Sequence, residues 1–263
     1  MSLSFKLPAI FVGHGSPMNA IEINEFTHEF SMISNTFPKP ETILCISAHW
    51  ETFGTQINSM QNPKTIHDFR GFPEELYSIE YPAQGNPDLA KRVALSGTKE
   101  HITLSEKWGI DHGAWSVLRH MYPMADIPVV QMSLNVNMTP QEHYQLGKEL
   151  VKLRSEGVLI LGSGNIIHNL RLVAWDMLGE TGFAYDWAEE AREIINSRIM
   201  NDDHRSLIDY RHLGRSVETS IPTPEHYLPL LYILAQKDEK ERVTLFNDKH
   251  VGGSLSMTSL IIR

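Results

Sequence analysis

Three short apolar runs that each lead into a histidine constrain the fold of this chain more than any other sequence feature. The runs begin at Ala9, Thr42 and Gly157, and the histidines that follow them are His14, His49 and His168. Apolar runs of this length are typical of strands that are buried on both faces of a parallel sheet. Parallel strands joined by helical crossovers have their carboxyl ends at one edge of the sheet, where open α/β sheets bind ligands. We therefore expect the three imidazoles to share one crevice at that edge.

The rest of the pattern alternates between helices and strands, which is typical of an α/β fold. Helical periodicity or helix-start signals mark four longer segments: 18–35, 87–96, 139–155 and 185–200. Two later runs, 243–246 and 255–262, are separated by Gly252-Gly253 and predict an antiparallel hairpin. With no repeat or linker, we expect a single α/β domain over residues 1–263. Its central, mostly parallel mixed sheet is flanked by helices and carries a C-terminal antiparallel hairpin.

Composition and charge exclude several classes of partner. The net charge of −9 has no basic stretch to offset it, which argues against a nucleic-acid partner. No apolar run approaches the roughly 20 residues that span a bilayer, and segment 1–6 lacks the apolar core of a signal peptide. The single cysteine, Cys45, excludes an intrachain disulfide. We therefore expect a cytoplasmic protein without a membrane partner.

Histidine is frequent in this chain, with 13 residues, and four of them stand out by their context. His14, His49 and His168 follow predicted strands. His226 follows Thr223-Pro224, a helix-start signal that predicts its position in the first turn of a helix. Neutral imidazoles that converge in a crevice are typical of a transition-metal site. The sequence therefore predicts one metal ion bound by these histidines.

The residues alone leave the metal and the reaction open. Glu225, next to His226, would complete a 2-His-1-carboxylate site for Fe²⁺ and oxygen, whereas three or four histidines equally suit zinc. The same site would serve a zinc hydrolase, or a metal-binding protein without turnover. His67 and His112 are intermediate in context, and His112 would act as a proton donor beside the site. Surface or packed positions are expected for the remaining histidines: His28, His101, His120, His143, His204, His212 and His250.

Six motifs between residues 13 and 230 carry a resemblance to a known family. They are Gly13-His14-Gly15-Ser16-Pro17, Ser47-Ala48-His49-Trp50, Asp68-Phe69-Arg70-Gly71-Phe72-Pro73, Asp111-His112-Gly113, Gly162-Ser163-Gly164-Asn165-Ile166-Ile167-His168-Asn169 and Thr223-Pro224-Glu225-His226-Tyr227-Leu228-Pro229-Leu230. In this order they resemble the LigB-type class III extradiol ring-cleavage dioxygenases, and most of all the DOPA 4,5-dioxygenase branch with its bacterial members. The resemblance implies one catalytic domain over residues 1–263.

The resemblance also implies residue roles. His14 and His49 match the two metal-binding histidines of the family. His168 matches the catalytic acid/base, at a position from which it could also contact the metal. His226 matches a position that contributes to the site in the DOPA branch, where the ring-cleaving prototypes have a glutamate as third ligand. His112 would support the distal oxygen or proton transfer.

Cofactor and substrate follow from the same resemblance. It implies one divalent metal ion per chain, with Zn²⁺ as isolated and Fe²⁺ for dioxygenase turnover. The substrates would be a catechol and O₂, and the chain would act as a monomer or small homo-oligomer. With L-DOPA, cleavage would produce 4,5-seco-DOPA, which cyclises to betalamic acid.

Overall fold

The structure is a computed structural model that describes residues 6–263. Its strands are β1 (Ala9–Gly13), β2 (Thr42–Thr52), β3 (Thr55–Asn58), β4 (Ile102–Ser105), β5 (Val129–Asn135), β6 (Val158–Gly164), β7 (Val243–Phe246), β8 (His250–Val251), β9 (Leu255–Ser256) and β10 (Ser259–Ile262). Its α-helices are α1 (Glu25–Ile33), α2 (Glu74–Tyr77), α3 (Pro87–Ala94), α4 (His112–Met121), α5 (Pro140–Glu149), α6 (Asp186–Met200), α7 (His204–Ile208), α8 (Arg215–Ser220) and α9 (Leu228–Leu234). Residues 1–5, and with them most of the segment expected to lack a signal peptide, lie outside this range.

Eight strands of the described chain form one mixed sheet in the order β4-β3-β5-β2-β6-β1-β10-β7. The central strands β1, β6, β2 and β5 run parallel, whereas β10 and β7 extend the sheet in antiparallel pairing. β6 lies between β1 and β2, because Gly162 is paired with Phe11 on one side and with Ile46 on the other. The expected single α/β domain with a mostly parallel mixed sheet is confirmed, and the carboxyl ends of β1, β2 and β6 are neighbours.

Both faces of the central strands are buried, which explains why their sequences are apolar without interruption. On β2, Leu44 and Ile46 belong to the core on one face of the sheet, and Ile43 and Cys45 to the core on the other. Helices α5, α6 and α9 cover the first face, and α1 and α4 cover the second. The buried Cys45 thiol acts here as a small hydrophobic side chain. No helix within residues 6–263 has the length and apolar character required to cross a membrane.

Two predicted helices are shorter in the structure. The segment 18–35 is divided into a 3₁₀ turn and α1, because the side chains and backbone of Asn24 and Thr27 form a reciprocal capping box that begins a new helix. The segment 139–155 is α5 up to Glu149, and a 3₁₀ turn then leads to Gly157, which has a φ of 77°. Glycine adopts this left-handed conformation without strain, so the chain can turn there into β6.

The C-terminal hairpin is confirmed, with a different turn from the predicted one. β7 pairs with β10, whereas Gly252-Gly253 connects the short strands β8 and β9. The predicted strand 255–262 is interrupted because the backbone of Met257 packs against Gly13, where a Cβ would lie 2.7 Å from the Met257 carbonyl carbon. The end of β1 and the hairpin therefore meet directly below the sheet edge that carries His14.

Candidate metal centre

Five histidine side chains meet at the carboxyl edge of the sheet, and we call them the histidine cluster. They are His14 after β1, His49 in β2, His112 at the start of α4, His168 after β6 and His226 before α9. The ring centroids of His14, His49 and His226 lie 4.9, 5.0 and 5.3 Å apart. The His112 ring lies 4.0 Å from that of His49, and the His168 ring is stacked on that of His226 at 3.5 Å. The structure thus brings together the four histidines proposed as ligands, and adds His112.

An irregularity in β2 presents His49 to the cluster. The register between β2 and β5 shifts between Ile46 and Glu51, so that residues 47–50 lie opposite Ser133 alone. Extra residues of this kind bend a strand and redirect its side chains, and they are frequent next to active sites. The sequence predicts that this strand ends at the histidine, whereas in the structure β2 continues to Thr52 and the irregularity turns the ring of His49 inward.

An oxygen atom lies beside Nδ1 of four of the five rings. The distances from Nδ1 are 2.9 Å from His14 to Ser163 Oγ, 3.0 Å from His49 to Asp68 Oδ2, 3.0 Å from His112 to Asp68 Oδ1 and 3.1 Å from His226 to Glu225 Oε1. The Ser163 hydroxyl donates to the Gly113 carbonyl, so it accepts the Nδ1–H of His14. A proton on Nδ1 leaves the lone pair on Nε2, as in most metal-binding histidines. Within the described residues, His168 has no comparable side-chain partner.

The spacing of the nitrogen atoms fits a metal ion. Nε2 of His14 and Nε2 of His49 are 3.1 Å apart. Two nitrogen ligands about 2.05 Å from a tetrahedral ion are about 3.3 Å from each other. The ligand atoms of His14, His49 and His112 all lie within 4.8 Å of one another. At 3.1 Å the two Nε2 atoms are within hydrogen-bonding distance when one of them carries a proton, and when neither does, their lone pairs suit one divalent metal ion.

Burial keeps most of the cluster neutral. Removal from water is the largest effect on the pKa of His14 and of His226, and it lowers both well below the ordinary value. Burial also lowers the pKa of His168 to about 4 and the pKa of His112 below its usual range. Neutral imidazoles are the form that binds metals, so these side chains are available as ligands at neutral pH.

His49 and Asp68 form the charged part of the site. Burial acts to lower the pKa of His49, but the nearby carboxylates of Asp68 and Asp111 raise it above its ordinary value. Burial acts to raise the pKa of Asp68, but contacts with His112 and His49 lower it far below its usual range. A carboxylate that stays ionised here places negative charge next to the ion that the cluster would hold.

A second buried carboxylate, Asp111, supports the cluster from behind. Its Oδ1 accepts hydrogen bonds from the Ser47 hydroxyl at 2.7 Å and from the Ala114 backbone at 3.2 Å. Its Oδ2 accepts from the Gln131 amide at 2.7 Å and from the Trp108 indole at 3.2 Å. Asp111 is therefore the N-cap of α4, and it also anchors the irregular part of β2 through Ser47.

Two glycines allow other atoms to approach the cluster closely. A Cβ on Gly113 would lie 2.8 Å from Cδ2 of His49, and a Cβ on Gly164 would lie 2.1 Å from the carbonyl oxygen of His226. That oxygen accepts the backbone N–H of Asn165 at 2.9 Å. The loop that carries His226 is thereby docked on the end of β6.

The prediction that His226 lies in the first turn of a helix is wrong. Helix α9 begins at Leu228, with Tyr227 as its N-cap, so His226 belongs to the preceding turn. The reason is tertiary, because the hydrogen bond from Asn165 holds the His226 carbonyl against the sheet edge. Glu225, the candidate carboxylate ligand, contacts Nδ1 of His226 and accepts the Thr223 hydroxyl at 2.9 Å.

Sequence reasoning missed the partners of the histidine rings. Asp68 belongs to one of the motifs that carry the family resemblance, but no local pattern links it to the histidines. Ser163 is a polar residue in an otherwise apolar buried strand, which was the one local signal of its role. Of the remaining histidines, His143 and His250 are buried, in agreement with packed positions.

Comparisons with known proteins identify similar chains. Residues 8–253 match the family described as the catalytic LigB subunit of aromatic ring-opening dioxygenase. The 4,5-DOPA dioxygenase extradiol of Escherichia coli (strain K12) is 43% identical over 264 residues, which cover 98% of this chain and 96% of that protein. The 4,5-DOPA dioxygenase extradiol of Beta vulgaris is 38% identical over 259 residues, covering 95% and 94%. The crystal structure of an uncharacterized protein from Escherichia coli K12 matches with a TM-score of 0.84 at 38% identity, covering 98% of this chain and 100% of that one.

Proposed function

Because the chain belongs to the LigB family of aromatic ring-opening dioxygenases, we propose that it cleaves L-DOPA between carbons 4 and 5 of the catechol ring to form 4,5-seco-DOPA. Catechol ring cleavage with O₂ is the activity of the family, and a DOPA substrate is named for the relatives in Escherichia coli and Beta vulgaris. We further propose that residues 1–263 form one catalytic domain and act as a monomer or small homo-oligomer. A cytoplasmic location is supported by the single buried thiol of Cys45.

His14, His49 and His226 are the proposed ligands of one divalent metal ion. The observation that carries this assignment is the 3.1 Å separation of the His14 and His49 Nε2 atoms, together with the oxygen partner on Nδ1 of each of the three rings. When bound, Fe²⁺ supplies the redox chemistry that lets O₂ react with the catechol, whereas Zn²⁺ has no redox chemistry. We propose Zn²⁺ for the protein as isolated and Fe²⁺ for turnover.

His168 is the proposed acid/base, and it lies beside the ligands or joins them. Its ring stacks on His226 and has no oxygen partner that would fix one nitrogen as the donor, so either nitrogen is able to exchange a proton with substrate. Neutral imidazole accepts a catechol hydroxyl proton and later returns it, which is the task of a general acid/base. His112 has Nδ1 against Asp68, which leaves its Nε2 to contact a substrate hydroxyl or the distal oxygen.

Anaerobic loading with Fe²⁺, followed by oxygen-uptake measurements with L-DOPA and a panel of other catechols, tests the proposal. We expect one equivalent of iron, stoichiometric uptake of O₂ with L-DOPA and a product whose mass and NMR spectrum identify 4,5-cleavage. The matched control is the same protein loaded with Zn²⁺, which should bind the metal without oxygen uptake. Iron binding without oxygen uptake on any catechol would overturn the proposal. A zinc hydrolase or a non-catalytic metal-binding protein is not favoured, because the relatives are ring-opening dioxygenases.

A further inference from the structure

Asp68 is the one carboxylate in the described chain that touches two rings of the histidine cluster. Its Oδ2 lies 3.0 Å from Nδ1 of His49. Its Oδ1 lies 3.0 Å from Nδ1 of His112 and accepts the backbone N–H of the same residue at 2.9 Å. The side chain is only 14% exposed, so water competes little for either oxygen. The two imidazoles thus face the same carboxylate at contact distance although they come from β2 and α4, and neither contact has full hydrogen-bond geometry.

We infer that Asp68 is a positioning residue that fixes the tautomer of His49 and of His112 together. An ionised carboxylate has no proton to donate and repels a lone pair, so a neutral imidazole whose Nδ1 faces it at 3.0 Å carries its proton on Nδ1. Both rings are then left with a lone pair on Nε2. Since Nε2 of His49 lies beside Nε2 of His14, this tautomer aims the lone pair of His49 at the proposed metal position. The inference rests on the proposed function only in naming the ion that the lone pair would meet.

The two oxygens of Asp68 are not equivalent, and this makes the inference specific. Only Oδ1 accepts a hydrogen bond from a backbone N–H, and the NH₂ group of an amide side chain cannot accept that hydrogen bond in its place. In Asp68→Asn the amide oxygen will therefore stay on the side of His112, and the NH₂ group will face Nδ1 of His49. His49 must then accept at Nδ1 and carry its proton on Nε2, the nitrogen that faces His14. His112 keeps its original tautomer.

Imidazole nitrogen NMR on ¹⁵N-labelled, metal-free protein at about pH 9, where the rings are neutral, reads these tautomers directly. In the unsubstituted protein we expect Nδ1–H for both His49 and His112. In Asp68→Asn we expect Nε2–H for His49 and no change for His112. Titration with Zn²⁺ should show an affinity roughly 10–100-fold lower, the range typical when a partner of a ligating histidine is lost. Glu225→Gln is the matched control, because Glu225 contacts His226 and should leave the tautomer of His49 unchanged.

An Nε2–H tautomer of His49 or His112 in the unsubstituted protein would overturn the inference without any variant. Retention of Nδ1–H by His49 in a folded Asp68→Asn protein with unchanged Zn²⁺ affinity would do the same. Because the NMR reading uses neither metal nor substrate, it separates this inference from the proposed function. The predicted tautomers in a protein that takes up no O₂ after iron loading would support the role of Asp68 while rejecting L-DOPA cleavage.

Discussion

Two buried polar groups at opposite ends of the same strands satisfy their charges and hydrogen bonds in different ways. At the amino end, Arg154 is fully buried and donates to the carbonyls of Leu7 and Gln236 at 2.6 and 2.8 Å, and to the carboxylate of Glu241. At the carboxyl end, the histidine cluster places Nε2 of His14 3.1 Å from the Nε2 atom of a neighbouring ring. Every donor of the Arg154 guanidinium has a partner within the chain, whereas the nitrogen atoms of the histidine cluster are spaced to suit an added cation.

This difference separates stability from function. A buried charge with every donor satisfied contributes to folding only if its partner stays in place, and removal of one partner is costly. A set of buried imidazoles brought together at one sheet edge contributes little to the folded state by itself, and its nitrogen atoms suit a metal ion. Substitutions in the histidine cluster should therefore change metal content and oxygen uptake, whereas substitutions at Arg154 should change the free energy of unfolding.

The largest effect is expected from His14→Ala or His49→Ala. Either change removes an imidazole ring whose Nε2 faces the proposed ion. Metal binding and ring cleavage should therefore both be abolished, while the fold survives. Metal analysis of the purified variant, its melting curve and oxygen uptake after iron loading measure this. The control is His28→Ala at an exposed position of α1. A full equivalent of metal in either variant would contradict the ligand assignment.

His168→Ala should lower turnover by roughly 10²–10⁴-fold while most of the metal is retained, because loss of a general acid/base has an effect of that size. The ring has no oxygen partner and stacks on His226, so three other nitrogens remain for the ion. Metal content set beside oxygen uptake decides between the two roles of this residue. If both fall together, His168 is a ligand, and full activity would remove it from the mechanism.

Arg154→Met tests the other end of the strands. It removes the buried partner of the Glu241 carboxylate, which keeps Lys6 at 2.8 Å, and takes the Arg154 donors away from the carbonyls of Leu7 and Gln236. Breaking a buried pair costs about 3–5 kcal/mol of unfolding free energy. Metal content per folded chain should not change. Arg92→Met is the matched control, because Arg92 pairs with Glu156 at the surface, where a salt bridge contributes only about 0–1 kcal/mol. If Arg154→Met and Arg92→Met lose the same free energy of unfolding in urea, burial is not what distinguishes the two ion pairs.

The smallest effect should come from His143, a buried histidine outside both groups that contacts the Tyr232 hydroxyl at 2.9 Å. Burial lowers its pKa from 6.5 to about 4, so between these values the unfolded chain binds more protons than the folded one. Stability is therefore lost as the pH falls through this window, by about 2 kcal/mol at pH 5. In chelator-treated protein, His143→Gln should show a smaller loss of unfolding free energy between pH 7.5 and pH 5 than the unsubstituted chain. If the unfolding free energy falls equally with pH in both proteins, His143 is not the group that causes the loss.

The strands and the sheet edge could be predicted from the sequence because they depend on local pattern. Continuous apolar runs identify β1, β2 and β6 because these strands are buried on both faces, and parallel strands necessarily bring His14, His49 and His168 to one edge. The capping contact of Asp111 is local in the same sense, because a cap acts on residues only three positions away. The motifs around these residues were sufficient for the family resemblance.

The features that the sequence did not predict depend on contacts between residues that are distant in the chain. Asp68 reaches His112 across 44 positions and the Ser163 hydroxyl reaches His14 across 149, and no sequence period encodes such separations. His226 lies outside the helix predicted for it because its carbonyl accepts a hydrogen bond from Asn165 at the end of β6. Local pattern was therefore enough to predict the sheet and the edge at which the histidines lie. Packing of loops against that edge places an oxygen atom beside Nδ1 of four of the five rings, and such contacts depend on the fold rather than on the neighbours of each histidine in the chain.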